Sequence, residues 1–184
     1  GHLQLVETAK QKADKIVVSI FVNPLQFGPG EDFEKYPRTL EADVEKLAGR
    51  SVDVVFAPDE KSFYANDRSK TTYVEVPELS NILCGASRPG HFRGVTTVVN
   101  KLFNIIQPDT AIFGSKDYQQ LTIIRQMVKE LAMPVELIGL ETVRETDGLA
   151  LSSRNRYLTA EQRSLAPELY KCLQSIRQAI LGGE

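Results

Sequence analysis

The segment Ile16 to Val22, IVVSIFV, constrains the fold of this chain more than any other. An almost unbroken run of β-branched and apolar residues has no polar face to turn to water. It therefore predicts a strand covered on both sides, in the centre of a parallel sheet. Asn23-Pro24 ends the run. Beyond it, apolar runs alternate with apolar stripes of helical period. Thr39 to Ala48 reads as a helix with Leu40, Val44 and Leu47 on one face, Val52 to Phe56 as a strand, and Tyr73 to Val76 as a further short strand. Val95 to Ile106 reads as a helix and Thr110 to Phe113 as a strand. Tyr118 to Leu131 reads as a helix stopped by Pro134, before the strand Val135 to Leu140. Such alternation predicts right-handed strand–helix–strand units on an open parallel sheet, with ligands at the carboxyl ends of the strands. Function is thus expected in residues 23–30 and 114–120.

The two ends carry their own signals. Leu3, Val6, Ala9 and Ala13 have helical spacing with no cap and no strand before them, so the start looks cut. Thr159-Ala-Glu-Gln162 has capping-box spacing and predicts a helix with Leu165, Leu169, Leu173, Ile176 and Ile180 inward, bent near Pro167.

Composition narrows the function. With 42% hydrophobic and 25% charged residues in 184, the chain has enough apolar material for one full domain and part of a second. A net charge of −2 gives no global attraction to nucleic acid or to an anionic membrane, so any anion must be held by a local site. No apolar stretch approaches the roughly 20 residues of a membrane span, and no signal segment opens the chain, which points to the cytoplasm. Two cysteines, Cys84 and Cys172, and two histidines assemble neither a disulfide framework nor a zinc site.

Five segments carry candidate chemistry. Gly1-His2 starts a helix, whose free N–H groups favour a phosphate; a lone surface histidine is the plainer reading. Gly114-Ser-Lys-Asp-Tyr-Gln-Gln120 delivers Lys116, Asp117 and two amides beyond a strand end, which suits an anionic substrate; a charged turn with Asp117 as cap fits equally well. Leu149 to Asn155 puts two hydroxyls and a guanidinium on one turn, able to wrap a polyphosphate or simply to lead into the Thr159 helix. Asn23 and Gln26 offer neutral amides for a hydroxy acid. Arg88 to Arg93 adds two cations and His91, for which a solvated loop is the simpler reading. The Gly- and Pro-rich stretch from Gly28 to Tyr36, beside Gln26, is expected to be a mobile lid. No Ser-His-Asp order, Walker loop or GxGxxG is present, which leaves anion handling by positioned groups.

Taken together, FVNPLQFG (Phe21 to Gly28), YPRT (Tyr36 to Thr39), RPGHFRGV (Arg88 to Val95), FGSKDYQQL (Phe113 to Leu121) and LSSRNRYL (Leu151 to Leu158) resemble the pantothenate synthetase family. The match is ordered and spans nearly the whole chain. The resemblance implies a Rossmann-like nucleotidyltransferase sheet with helices on both faces over residues 1–142, and the start of a small carboxyl-terminal lid domain over residues 143–184. It further implies an ATP-dependent ligase that condenses pantoate with β-alanine through pantoyl adenylate, requires Mg2+, and works as a homodimer. Such chemistry needs alignment and charge neutralisation in place of a protein nucleophile.

Gly1 and His2 match the end of the family's HxGH signature, as ATP contact and as acid. Gly114, Ser115, Lys116 and Asp117 match its second nucleotide segment, with Ser115 where Glu is usual. Val143 matches an adenine contact. Leu151, Ser152, Ser153 and Arg154 match its mobile MSSR loop, Leu for Met being volume-conserving. The catalytic set implied is His2, Lys116, Ser152, Ser153 and Arg154. Gln26 and Gln120 match the glutamines that hold pantoate, and Asp43 a carboxylate near the magnesium. Another nucleotidyltransferase of the superfamily would have no reason to keep both glutamines. A non-catalytic nucleotide-binding module is the rival from outside the enzymes.

Overall fold

Helix α1 (His2–Lys10) begins at the second residue and buries Val6. The computed structural model describes residues 1–64 and 70–183. They form two compact units, His2–Leu140, and Glu141–Glu184 together with Gly1.

In the larger unit the apolar run yields a strand shorter than its sequence predicts: β1 (Val17–Ser19) pairs in parallel with β2 (Val54–Phe56), Val17 opposite Val54 and Ser19 opposite Phe56. Asp53 fixes the start, accepting from the Ile16 amide at 2.9 Å and from Lys15 Nζ at 2.7 Å. The run leaves the ladder after Ile20 because its aromatic residue has a better partner: the Phe21 ring lies 4.7 Å from that of Phe63 at the end of α3 (Glu60–Phe63). Strand β3 (Thr110–Gly114) pairs in parallel with β4 (Glu136–Leu140) over all five residues. Among the described residues the strands therefore form two parallel pairs, and β1 has one neighbour where a central position was expected. Val17 is accordingly 39% exposed.

Helix α2 (Leu40–Ala48) buries Leu47 but leaves Leu40 and Val44 exposed. Tyr73 to Val76 makes no ladder. Its backbone is taken by threonine hydroxyls, the Val74 amide donating to Thr97 Oγ at 3.0 Å and Thr96 Oγ donating to the Val74 carbonyl at 2.5 Å. Those threonines belong to α5 (His91–Ile106), which follows the single turn α4 (Cys84–Ser87) and with α6 (Tyr118–Glu130) supplies the core: Val95, Val98, Val99, Ile123, Ile124 and Met127 pack with Phe63, Val76 and Phe92. Burying six such side chains at roughly 1.5–3 kcal/mol each is what holds this unit together.

In the smaller unit Thr159 and Gln162 form the predicted capping box at α7 (Ala160–Leu165). Pro167 then breaks the helix outright, because a ring at that position removes an amide and α8 (Glu168–Gly182) restarts after it. The stripe Leu165, Leu169, Leu173, Ile176 and Ile180, expected inward, is exposed. The unit packs instead on the Tyr170 side of α8. Arg144 stacks 3.8 Å above that ring, and the turn at Gly148 (φ 94°) lies so close that a Cβ would strike it.

Candidate active site

Two segments of the larger unit lie beyond carboxyl ends of parallel strands. After β1 the chain makes a tight turn, Pro24–Gln26, capped by Asn23, whose Oδ1 accepts from the Leu25 amide at 3.2 Å. The turn presses on α5, and Gly94 is what permits it: a Cβ there would collide with the Leu25 carbonyl. Asn23 Nδ2 donates to the Gly94 carbonyl at 3.0 Å and to Gln26 Oε1 at 3.2 Å. Gln26 Nε2 has no hydrogen-bond partner among the described residues and remains a donor for a ligand.

The backbone of Gln26 is gripped from the other side, by residues for which the sequence predicts a solvated loop. Arg88 Nη1 approaches His91 Nε2 at 3.0 Å, and a guanidinium can only donate, so the ring proton sits on Nδ1 and is donated to the Gln26 carbonyl at 2.7 Å. Burial holds His91 below its ordinary value, which keeps it neutral and able to accept from Arg88. The same guanidinium forms a two-pronged pair with Glu31, at 2.7 and 2.5 Å, and its hydrogen bonds hold that carboxyl below the usual range. Glu31 lies in the stretch from Gly28 to Tyr36, where Phe27 meets Phe33 and Tyr36 edge-on at 5.2 and 6.0 Å and Arg38 covers Phe33 at 5.0 Å. A histidine just after a glycine that opens a helix was the signal that could have flagged this cluster.

Beyond β3, Gly114 leads into a turn over Ser115–Asp117 and directly into α6. Lys116 is exposed, with Asp117 at 3.4 Å. Of the two amides read here, Gln119 is engaged by structure: it donates to the Leu79 and Ile82 carbonyls at 3.0 and 2.8 Å and accepts from the Cys84 amide at 3.1 Å. Gln120 is half-buried, and its side-chain amide makes no comparable hydrogen bond among the described residues. His2 lies exposed at the start of α1.

Asp43, in the first turn of α2, accepts from Thr39 Oγ at 3.0 Å and has Lys46 Nζ at 3.7 Å. A carboxylate has about four lone-pair sites, so capacity remains for one ion contact. Among the described residues no group of three acidic, His or Cys side chains forms a metal cage. One carboxylate plus substrate phosphates is the usual way Mg2+ is held, and Asp43 fits that donor set.

In the smaller unit the Val143 carbonyl accepts from the Leu151 amide at 2.9 Å. Ser152 Oγ accepts from the Arg154 amide at 3.2 Å and caps the turn Ser153–Tyr157. That is the serine turn which the sequence offered as an alternative to phosphate binding. It leaves the exposed Arg154 carried by a short turn, and Gly1, which belongs to this unit, lies with its Cα side toward Leu151.

Polar groups beyond the carboxyl ends of parallel strands, at helix starts, define the class: a parallel α/β protein with a nucleotidyltransferase-like fold. The chain belongs to the pantoate-beta-alanine ligase family, which it matches over residues 1–184. It is similar to pantothenate synthetase from Thermus thermophilus, with 52% identity and a TM-score of 0.95 over 100% of this chain and 66% of that one. It is also similar to the Francisella tularensis pantoate-beta-alanine ligase solved with β-γ ATP and β-alanine, with 43% identity and a TM-score of 0.88 over 95% of this chain. The chain thus spans 66% of the length of both solved relatives.

Proposed function

We propose that this protein condenses pantoate with β-alanine in an ATP-dependent reaction. A carboxylate oxygen of pantoate attacks the α-phosphorus of ATP and the bond to the β-phosphate breaks, giving pantoyl adenylate and pyrophosphate. The β-alanine amine then attacks the acyl carbon, AMP leaves with the bridging oxygen, the amine loses a proton, and pantothenate results. The observation that carries this reading is the free donor face of Gln26, gripped through its side chain by Asn23 and through its carbonyl by His91, in a chain of this family.

Gln26 and Gln120 hold pantoate by neutral amides, leaving the polyphosphate to cations. Gly1, His2, Gly114, Ser115, Lys116, Asp117, Val143 and Leu151 to Arg154 bind ATP. Among them Lys116 and Arg154 neutralise charge that develops on the phosphates, His2 acts as an acid, and Ser152 and Ser153 donate hydrogen bonds to the phosphate oxygens. Asp43 would hold Mg2+ by a single carboxylate, and the ion supplies further neutralisation of the triphosphate. Residues 28–36 close over the adenylate and keep water from it, with Arg88–Glu31 as the latch. The family resemblance supports a cytoplasmic homodimer. No described helix is long and apolar enough to cross a membrane.

The test is exchange of labelled pyrophosphate into ATP. Exchange that requires pantoate is expected, and Lys116→Ala should lower it by orders of magnitude with the fold intact. Tight nucleotide binding without any pantoate-dependent exchange would make this a non-catalytic nucleotide-binding module.

A further inference from the structure

Tyr64 follows α3, is buried at 7% exposure, and has no place in the chemistry above. Its ring is wedged among Phe21 at 5.9 Å, Phe63 at 5.0 Å and the ammonium of Lys101 at 5.4 Å, and Lys101 in turn donates to the Phe63 carbonyl. Only the hydroxyl reaches out of this apolar setting, donating to Asn23 Oδ1 at 2.9 Å.

The Asn23 amide can face one way only, because the Leu25 N–H can only donate and the Gly94 carbonyl can only accept. The atom that takes the Leu25 proton is the oxygen, Oδ1, and the Tyr64 hydroxyl must then donate to its second lone pair, anchoring the amide in that orientation. The nitrogen must then face the Gly94 carbonyl and Gln26 Oε1, two acceptors. Asn23 is 3% exposed, and all four hydrogen-bonding capacities of its side chain are used within the protein. With Oε1 pinned, Gln26 can present only its NH2 to a ligand. Burial pushes the Tyr64 hydroxyl well above its ordinary value, which keeps it protonated and able to donate at neutral pH.

We infer that Tyr64 is a positioning residue for the acid substrate: through Asn23 it locks Gln26 as a hydrogen-bond donor, and so selects a ligand presenting carboxylate or hydroxyl oxygen at that point. The inference rests on the reading of this site as the pantoate site. A flipped Gln26 would offer an oxygen to the carboxylate and repel it, so the lock acts on affinity for the acid and leaves ATP alone.

Tyr64→Phe keeps the ring and its packing while removing the donor. Calorimetric titration should show pantoate binding roughly five- to tenfold weaker, the factor that one net hydrogen bond supplies. The KM for ATP should stay within about twofold, well inside the factor expected for pantoate. In a Gln26→Ala background the same substitution should change nothing further, because the two residues act as one unit. Equal pantoate affinity in wild type and Tyr64→Phe overturns the inference, as does an effect that persists without Gln26. Failure of the wild-type protein to bind pantoate at all overturns the reading of the site and the inference with it.

A measurement on the wild type covers the case in which the variant does not fold. By ¹⁵N spectroscopy the Asn23 NH2 should be protected from exchange and unmoved by pantoate, while the Gln26 NH2 exchanges fast and shifts on titration. The reverse pattern overturns the inference.

Discussion

Helices α5 and α8 carry the same kind of sequence and meet opposite fates. Val95, Val98 and Val99 on α5 are all less than a tenth exposed. On α8, Leu169, Leu173, Ile176 and Ile180 repeat at an equally regular helical spacing, yet no residue of that helix is buried. Periodicity reports that a face exists. Whether anything covers it depends on which other elements the fold brings there. On α5 the cover is α6 with the residues around Phe63 and Val76. In the smaller unit the packing runs through Tyr170, on another side of α8.

The comparison is broken most severely at Gly94, where α5 meets the turn that carries Gln26. Gly94→Ala should destabilise by about 3 kcal/mol, since a Cβ must push the Leu25 carbonyl away and overpacking of this kind relaxes poorly. It should weaken pantoate binding as well. A urea melt that matches wild type would show that the turn yields freely, and α5 would then be no more demanding a neighbour than α8.

Equal cuts on the two helices sharpen the contrast. Val95→Ala, at a position 2% exposed, should cost about 2 kcal/mol, from lost burial plus the cavity left behind. Leu173→Ala removes a larger side chain at a position 51% exposed and should fall within about 0.5 kcal/mol of wild type. Comparable losses at both positions would mean that the α8 stripe is covered in solution.

The smallest effect expected is that of pH on the Gln26 clamp. His91 is held below its ordinary imidazole value by burial, so between the folded value and about 6.5 the unfolded chain binds more protons. Stability should therefore fall as the pH drops below about 6.5, with His91 facing Arg88, Glu31 and Asp117. Glu31, whose carboxyl the Arg88 pair holds down, adds a second loss at more acid pH, as protonation reaches its lowered value. His91→Gln should flatten the first of these two slopes in melts taken between pH 7 and pH 5. An unchanged slope would assign the effect elsewhere.

Much of the site was legible from local sequence. Asn23-Pro24 ends a strand run because proline cannot continue a ladder, and that alone put Gln26 beyond a strand end, where the structure has it. Gly114 to Gln120 followed in the same way from the run Thr110 to Phe113. What sequence could not tell was which polar side chains remain free. Gln119 and Gln120 are adjacent and chemically identical, and only the carbonyls of Leu79 and Ile82, some forty residues away, decide that the first is engaged. Arg88 and His91 read as a solvated loop because their partners, Glu31 and the Gln26 carbonyl, lie still farther away, 57 and 65 residues along the chain.

The capping box at Thr159, the helical registers of α5 and α6, the parallel alternation of strand and helix and the strand-end position of Gln26 follow from the sequence by itself. Each depends on residues within a few positions of one another, and short-range sterics and hydrogen bonding suffice to set them. The brevity of β1, the pairing of the described strands two by two, the bare stripe of α8 and the direction in which Gln26 points were decided by the tertiary structure. Coverage of an apolar face and satisfaction of a buried amide depend on groups tens of residues apart, which only the folded chain brings within hydrogen-bonding and packing distance.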